Sequence, residues 1–191
     1  MNTAENHTNT SEIYENIWNC LEKGVKDRLS DYHTFSLATS SKNIVENRTV
    51  VLRAYNKEKQ SIIFHTNNLA GKVNEIEDNP NVAGLFYDKK AKTQLRFNGI
   101  AVINNMDQLC KTRWDKMNLQ SKECYYQNIR PGESIKHPDM VENHLENELS
   151  QNFTVITINI NKIEWLYLSS MGHSRVEFLR ENKFYGQWIA P

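Results

Sequence analysis

Arg48-Thr49-Val50-Val51-Leu52-Arg53 is the stretch on which the reading of this chain turns. Two arginines bracket four residues, three of them aliphatic. Val, Thr and Leu suit a pleated, half-buried surface, so the run predicts a β-strand. Ser61 to Thr66 predicts a second strand, and Asn56-Lys57-Glu58-Lys59 the turn that joins the two as a hairpin. Asn67-Asn68 ends it, and Lys72 lies in the opening turn of a short helix over 70–78, closed by Asn79-Pro80. Cationic heads at the edge of a β core are costly to bury unless an anion meets them. Two readings of the arginines stand side by side: an ordinary strand with solvated side chains, or a cradle for a phosphate. In a regular strand positions 48 and 53 point to opposite faces, because five is odd. Both reach one ligand only if the strand is bulged or strongly twisted, or if the ligand lies across its end.

On either side of this stretch the pattern is mostly β. Met1 to Thr10 is polar, lacks the apolar core of a signal peptide and predicts a disordered terminus. Ser11 can cap a helix in which Ile13, Ile17, Leu21, Val25 and Leu29 recur every four positions. Thr34–Thr39 and Val82–Tyr87 read as strands, and Gln94–Ile103 as a longer one in which Gly99 predicts a bulge or close backbone approach. Met106–Met117 and Lys122–Ile129 read as helices ended by Pro131-Gly132. Residues 133–151 are polar and predict a loose helix or a surface excursion. Four short strands close the chain: Phe153–Ile160, Ile163–Leu168, Arg175–Arg180 and Phe184–Ile189. Hairpin follows hairpin, with helices set between them rather than after each strand. This predicts a single domain over 11–191, mainly β with peripheral helices, built as an antiparallel barrel.

The chain of 191 residues carries 23 Lys and Arg against 23 Asp and Glu. That balance points to no nucleic acid and no anionic membrane as a partner. No apolar run approaches the roughly 20 residues of a membrane span. Cys20, Cys110 and Cys124 are odd in number and form no CxxC pair, which predicts free thiols in a reducing cytoplasm. GxSxG, P-loop, HExxH and Gly-rich dinucleotide patterns are absent, and the six histidines do not pair at ligand spacing, so no metal is expected. What remains is a set of cations and hydrogen-bonding residues at strand ends: Arg48, Arg53, His65, Thr66, Lys72, Gln94, His173 and Arg175. A phosphate monoester carries a charge of about −1.5 to −2 at neutral pH. Two or three cations, a hydroxyl and the N–H groups of a helix start could hold one. Trp165 is either core or a flat surface for a conjugated ring.

The order of these residues resembles the pyridoxamine 5'-phosphate oxidase family of FMN-binding split β-barrels, from about Phe35 to Pro191. Arg48 to Arg53 is similar to the family's R-x-x-x-L-[KR] strand, and His65-Thr66-Asn67 to its aromatic-Thr-Asn ending. Lys72, Asn79-Pro80 and the Gln94–Gly99 strand follow in the family's order. Near the C-terminus, Ile163-Glu164-Trp165, His173-Ser174-Arg175 and Trp188-Ile189-Ala190-Pro191 match more loosely. The resemblance implies an antiparallel FMN-binding split β-barrel that forms a homodimer with FMN at the interface. It implies that Arg48, Thr66 and Lys72 hold the FMN phosphate, that His65, Gln94, Trp165 and Arg175 lie near the flavin, and that Arg53 lies between flavin and substrate. His173 would orient substrate or move a proton.

The chain also departs from that pattern. Gly71 stands where the family often has a second basic residue, and His65 where Tyr or Phe is usual. Met171 replaces an Arg two positions before the histidine of the C-terminal motif. The helical Tyr, Arg and Ser that grip the substrate phosphate fall roughly at Thr112, Lys116 and Gln120 or Ser121, so only Lys116 keeps a charge. The implied function is an FMN-dependent oxidoreductase with a small-molecule substrate met by Lys116 and Met171. Weak oxidation of pyridoxamine 5'-phosphate and a less charged donor are expected. A flavin-binding or flavin-storage protein without a dedicated substrate, or a split barrel binding haem, are the alternatives.

Overall fold

The run from Arg48 to Arg53 is not one strand. In the computed structural model, which describes residues 9–142 and 148–191, helix α1 (Thr10–Lys26) leads into β1 (Thr34–Ser41) and β2 (Ile44–Val51). The chain then breaks at Leu52-Arg53 and resumes as β3 (Ala54–Asn56) and β4 (Ser61–Asn67). β2 pairs with β1, whereas β3 pairs with β4. The break is a change of partner: the Leu52 amide donates to His33 O and the Arg53 amide to Ile63 O. The expected hairpin into Ser61–Thr66 exists, but Arg48 belongs to a different pairing from Arg53.

Helix α2 (Gly71–Asp78) follows, then β5 (Asn81–Asp88), β6 (Thr93–Asn105), α3 (Gln108–Asp115) and α4 (Leu119–Lys122). β7 (Phe153–Tyr167), β8 (Ser174–Leu179) and β9 (Gly186–Ile189) complete the chain. The hydrogen-bonded order is β2-β1-β5-β6-β7-β4-β3, with β8 pairing β7 and β9 pairing β8. Each of these pairings is antiparallel. The path does not close on itself, so this is an antiparallel split barrel, mainly β with helices around it.

Several expectations are corrected. The helix cap is Asn9, whose side chain accepts from the Ser11 amide, and the helix ends before Leu29, which is exposed. The expected disorder of 1–10 falls for 1–8 outside the described residues. Phe153–Ile160 and Ile163–Leu168 are one strand, β7, with a register shift opposite Asn98 and Gly99 that leaves Asn161 unpaired. The bulge expected at Gly99 is present, and a Cβ there would lie 2.4 Å from Asn159 O. Lys122–Ile129 is not a helix: α4 ends at Lys122 and only a 3-10 turn, Glu123–Tyr125, follows. Within 133–151 the described residues include only a 3-10 turn, Pro138–Met140.

Strand alternation divides the interior in two. Ile62 and Phe64 of β4 join Phe35, Leu37, Phe86, Phe97 and the apolar stripe of α1, Ile13, Ile17 and Leu21, in the main core. Ile63 faces the other way, toward Phe153, Trp114 and Tyr125 under α3 and the turns that follow it. Arg48 and Val50 share one face of β2, at the rim of the first core, while His65 packs edge-on against Phe153 at 4.9 Å in the second. The two arginines of the opening stretch are thus delivered to different places.

Candidate functional site

Arg48, Thr66 and Lys72 come together at the barrel rim. Lys72 donates from Nζ to the Thr66 hydroxyl at 3.2 Å. Arg48 donates to Leu37 O, to the Thr39 hydroxyl and, at 2.7 Å, to the Glu75 carboxylate. Burial, with the nearby Arg48 charge, lowers the Lys72 pKa, and Glu75 opposes that shift. Helix α2 begins here on Ala70, with no side chain among the described residues capping its first amides and no acidic residue in its first turn. An uncapped helix start leaves N–H groups for water or for an anion. A guanidinium, an ammonium, a hydroxyl and these amides fit a phosphate monoester. Glu75, one turn beyond Lys72, is the group of opposite sign in the cradle.

A second basic site lies on the other side of β4. Arg28, Arg53, His65, Arg113, Lys116, Met117, Asn118 and Ser121 line a cavity of about 250 Å³. No carboxylate forms an ion pair with any of its four cations among the described residues. Burial, followed by the charges of Arg53 and Arg113, pushes the His65 pKa down to about 3, so its imidazole is neutral. His65 Nε2 is buried without a hydrogen-bond partner among the described residues. Thr112 turns away and donates to Gln108 O of its own helix, and Arg113, not anticipated from the sequence, takes the cavity side. Arg28, beyond the end of α1, was also missed. The cavity that holds Lys116 thus also holds three further cations, Arg28, Arg53 and Arg113.

The remaining candidates stand apart from both sites within one chain. Gln94 is in register with Leu166, and Leu166 with Arg175, on the outer sheet face. Two strand spacings put Gln94 and Arg175 roughly 10 Å apart. Gln94 and Arg96 border a shallow groove with Ser36, Asn47 and Leu85. Arg175 donates to Glu164 at 2.5 Å; Arg96 and Lys162 meet the same carboxylate at 3.3 and 2.6 Å. Burial raises the Glu164 pKa, but the bonds from Lys162 and Arg175 and the Arg96 charge outweigh it and hold the carboxyl below its ordinary range. Trp165 is 3% exposed, in the main core. Met171 is 94% exposed on the loop before β8, and so does not line the basic cavity. His173, on the same loop, accepts from the Ser169 amide at 3.1 Å. Among the described residues no three His, Cys, Asp or Glu gather as a metal site, and no helix is long and apolar enough to cross a membrane.

The sequence of residues 15–105 matches the family model described as pyridoxamine 5'-phosphate oxidase, FMN-binding domain. Over these residues the chain is similar to the pyridoxamine 5'-phosphate oxidase family. The matched region contains the whole Arg48–Thr66–Lys72 cradle. A pyridoxine/pyridoxamine 5'-phosphate oxidase of Pelagibacter ubique is 33% identical over 90 residues, which cover 47% of this chain and 41% of that protein. Its counterpart in Psychrobacter cryohalolentis is 32% identical over 85 residues, 44% of this chain and 38% of that protein. The chain thus aligns with about two fifths of the length of these curated relatives. The fold extends further. A pyridoxamine 5'-phosphate oxidase-related, FMN binding protein of Nostoc punctiforme superposes with a TM-score of 0.77 at 19% identity, covering 93% of this chain and 96% of its own. PhzG of Burkholderia lata, solved with tetrahydrophenazine-1-carboxylic acid, gives 0.74 at 13% identity, covering 98% and 95%.

Proposed function

We propose that this chain binds FMN through the Arg48–Thr66–Lys72 cradle and works as an FMN-dependent oxidoreductase. The observation that carries this reading is the convergence of two cations and a hydroxyl on the uncapped start of α2. FMN would supply the hydride-accepting ring. Arg48 and Lys72 bind its phosphate, and Thr66 orients Lys72. Replacing Arg48 or Lys72 by Ala removes a charge-assisted hydrogen bond of about 1.5–3 kcal/mol, so the Kd for FMN rises about tenfold or more. Fluorescence titration checks this, and unchanged affinity in both variants sinks the assignment.

The donor carries an anionic group. Four cations around one cavity, with no carboxylate paired to them among the described residues, support this, and the neutral His65 offers its free Nε2 as a further hydrogen-bonding atom. The exposed loop that the second copy would bring to the flavin with His173 carries Met171 where the resembled oxidase has an Arg, so the donor is a molecule other than pyridoxamine 5'-phosphate. The protein acts as a homodimer in the cytoplasm. Gln94, Arg175 and His173 lie away from the cradle of their own chain, so a second copy supplies them to the flavin. Free thiols at Cys20, Cys110 and Cys124 suit a reducing compartment.

A further inference from the structure

We propose that Glu75 is an internal counter-anion of the cradle: it holds Arg48 when no phosphate is present and competes with an arriving phosphate, so that FMN is an exchangeable ligand rather than a fixed prosthetic group. This rests on the phosphate reading of the cradle. Arg48, Thr39 and Glu75 form a closed set of hydrogen bonds. Arg48 donates to Thr39 and to Glu75, and the Thr39 hydroxyl donates to Glu75. The Arg48 and Glu75 side chains are 22% and 19% exposed, so water screens the pair less than it would a surface ion pair. Lys72, one helical turn before Glu75, has among the described residues only the Thr66 hydroxyl as a hydrogen-bond partner. Asp78, at the end of this helix, accepts instead from the Ser41 hydroxyl.

The charges decide the consequence. Arg48 and Lys72 against Glu75 leave a net charge of one positive unit, and a phosphate monoester brings about −1.5 to −2. A phosphate oxygen bonded to Arg48 stands one guanidinium away from the Glu75 carboxylate. Glu75 also orients Arg48, so its removal has two opposed effects. Replacement by Gln keeps an acceptor for Arg48 and removes only the charge. Like-charge repulsion across a half-buried guanidinium outweighs the difference between a charged and a neutral hydrogen bond, so the phosphate site tightens.

The test compares FMN with riboflavin, which shares the ring and lacks the phosphate. The ratio of their dissociation constants isolates what the cradle contributes and requires no turnover. In Glu75→Gln the preference for FMN rises about tenfold or more while riboflavin affinity stays the same. A preference that is unchanged or reduced in Glu75→Gln overturns the proposal and makes Glu75 a scaffold for Arg48. Should that variant fail to fold, the wild-type protein decides: a preference for FMN below about a hundredfold supports the proposal and a larger one overturns it. Arg48→Ala separates phosphate binding from the role of Glu75. If it leaves the preference unchanged, the phosphate reading itself fails; if it lowers the preference while Glu75→Gln does not raise it, only the role of Glu75 falls.

Discussion

His65 shows how much one residue's surroundings override its type. Burial and the charges of Arg53 and Arg113 hold its pKa at about 3 against an ordinary value of 6.5. The unfolded chain therefore takes up a proton below about pH 6.5 that the folded chain refuses, and stability falls as pH drops through that value. The loss continues toward the folded pKa, but between pH 6.5 and 5 ordinary carboxylates contribute little. In that window the wild-type protein loses stability in urea unfolding, and His65→Phe loses distinctly less. Equal slopes for the two proteins would mean that His65 is protonated when folded. The identity of this residue was plain in the sequence, as was its place before Thr66. Its neutrality was not, because Arg113 comes from a helix far along the chain. Arg53 tells the same story in reverse: the odd spacing from Arg48 raised doubt that one ligand meets both, and the structure puts them beside separate groups of residues.

At the scale of elements, the strands that alternate cleanly were legible: β1, β4, β5 and β6 appear within a residue or two of expectation. The short helix ending at Asn79-Pro80 was equally clear, because the proline and the apolar Val73 and Ile76 mark it. Two boundaries failed for one physical reason. Pairing partners, not local residues, break β2 from β3 at Leu52-Arg53, and they join Phe153 to Tyr167 across the polar Asn161-Lys162. Gly99 is the exception, a local signal of a long-range contact. A methyl group there meets the Asn159 carbonyl at 2.4 Å and Ile158 Cγ2 at 3.0 Å, and the partner backbone has little room to move. Gly99→Ala should cost about 1–3 kcal/mol. Thermal unfolding would register this as a melting temperature several degrees lower, and an unchanged value would show that the bulge accommodates a side chain.

Across the whole molecule, the sequence pointed to the barrel and to the grouping of Arg48, Thr66 and Lys72, which follows the order strand, turn, then the lysine at a helix start. It did not reveal the basic cavity, whose cations come from positions 28, 53, 113 and 116 and meet only through the fold. Nor did composition reveal it, since the overall charge is balanced. Gln94 and Arg175 lie on an outer sheet face away from the cradle, which is why we propose that two copies of the chain build the site; twofold pairing is the commonest soluble assembly. Sedimentation of the FMN-loaded protein at micromolar concentration should give a dimer, and a monomer with flavin fully bound would contradict it. The phosphate cradle remains the claim on which the rest depends. Phosphorus NMR of FMN follows the group in question. The FMN resonance should shift when wild-type protein is added and stay at its free position with the Arg48→Ala, Lys72→Ala double variant. A flavin absorption spectrum perturbed by both proteins alike, with the phosphorus signal of FMN unmoved by either, would contradict it.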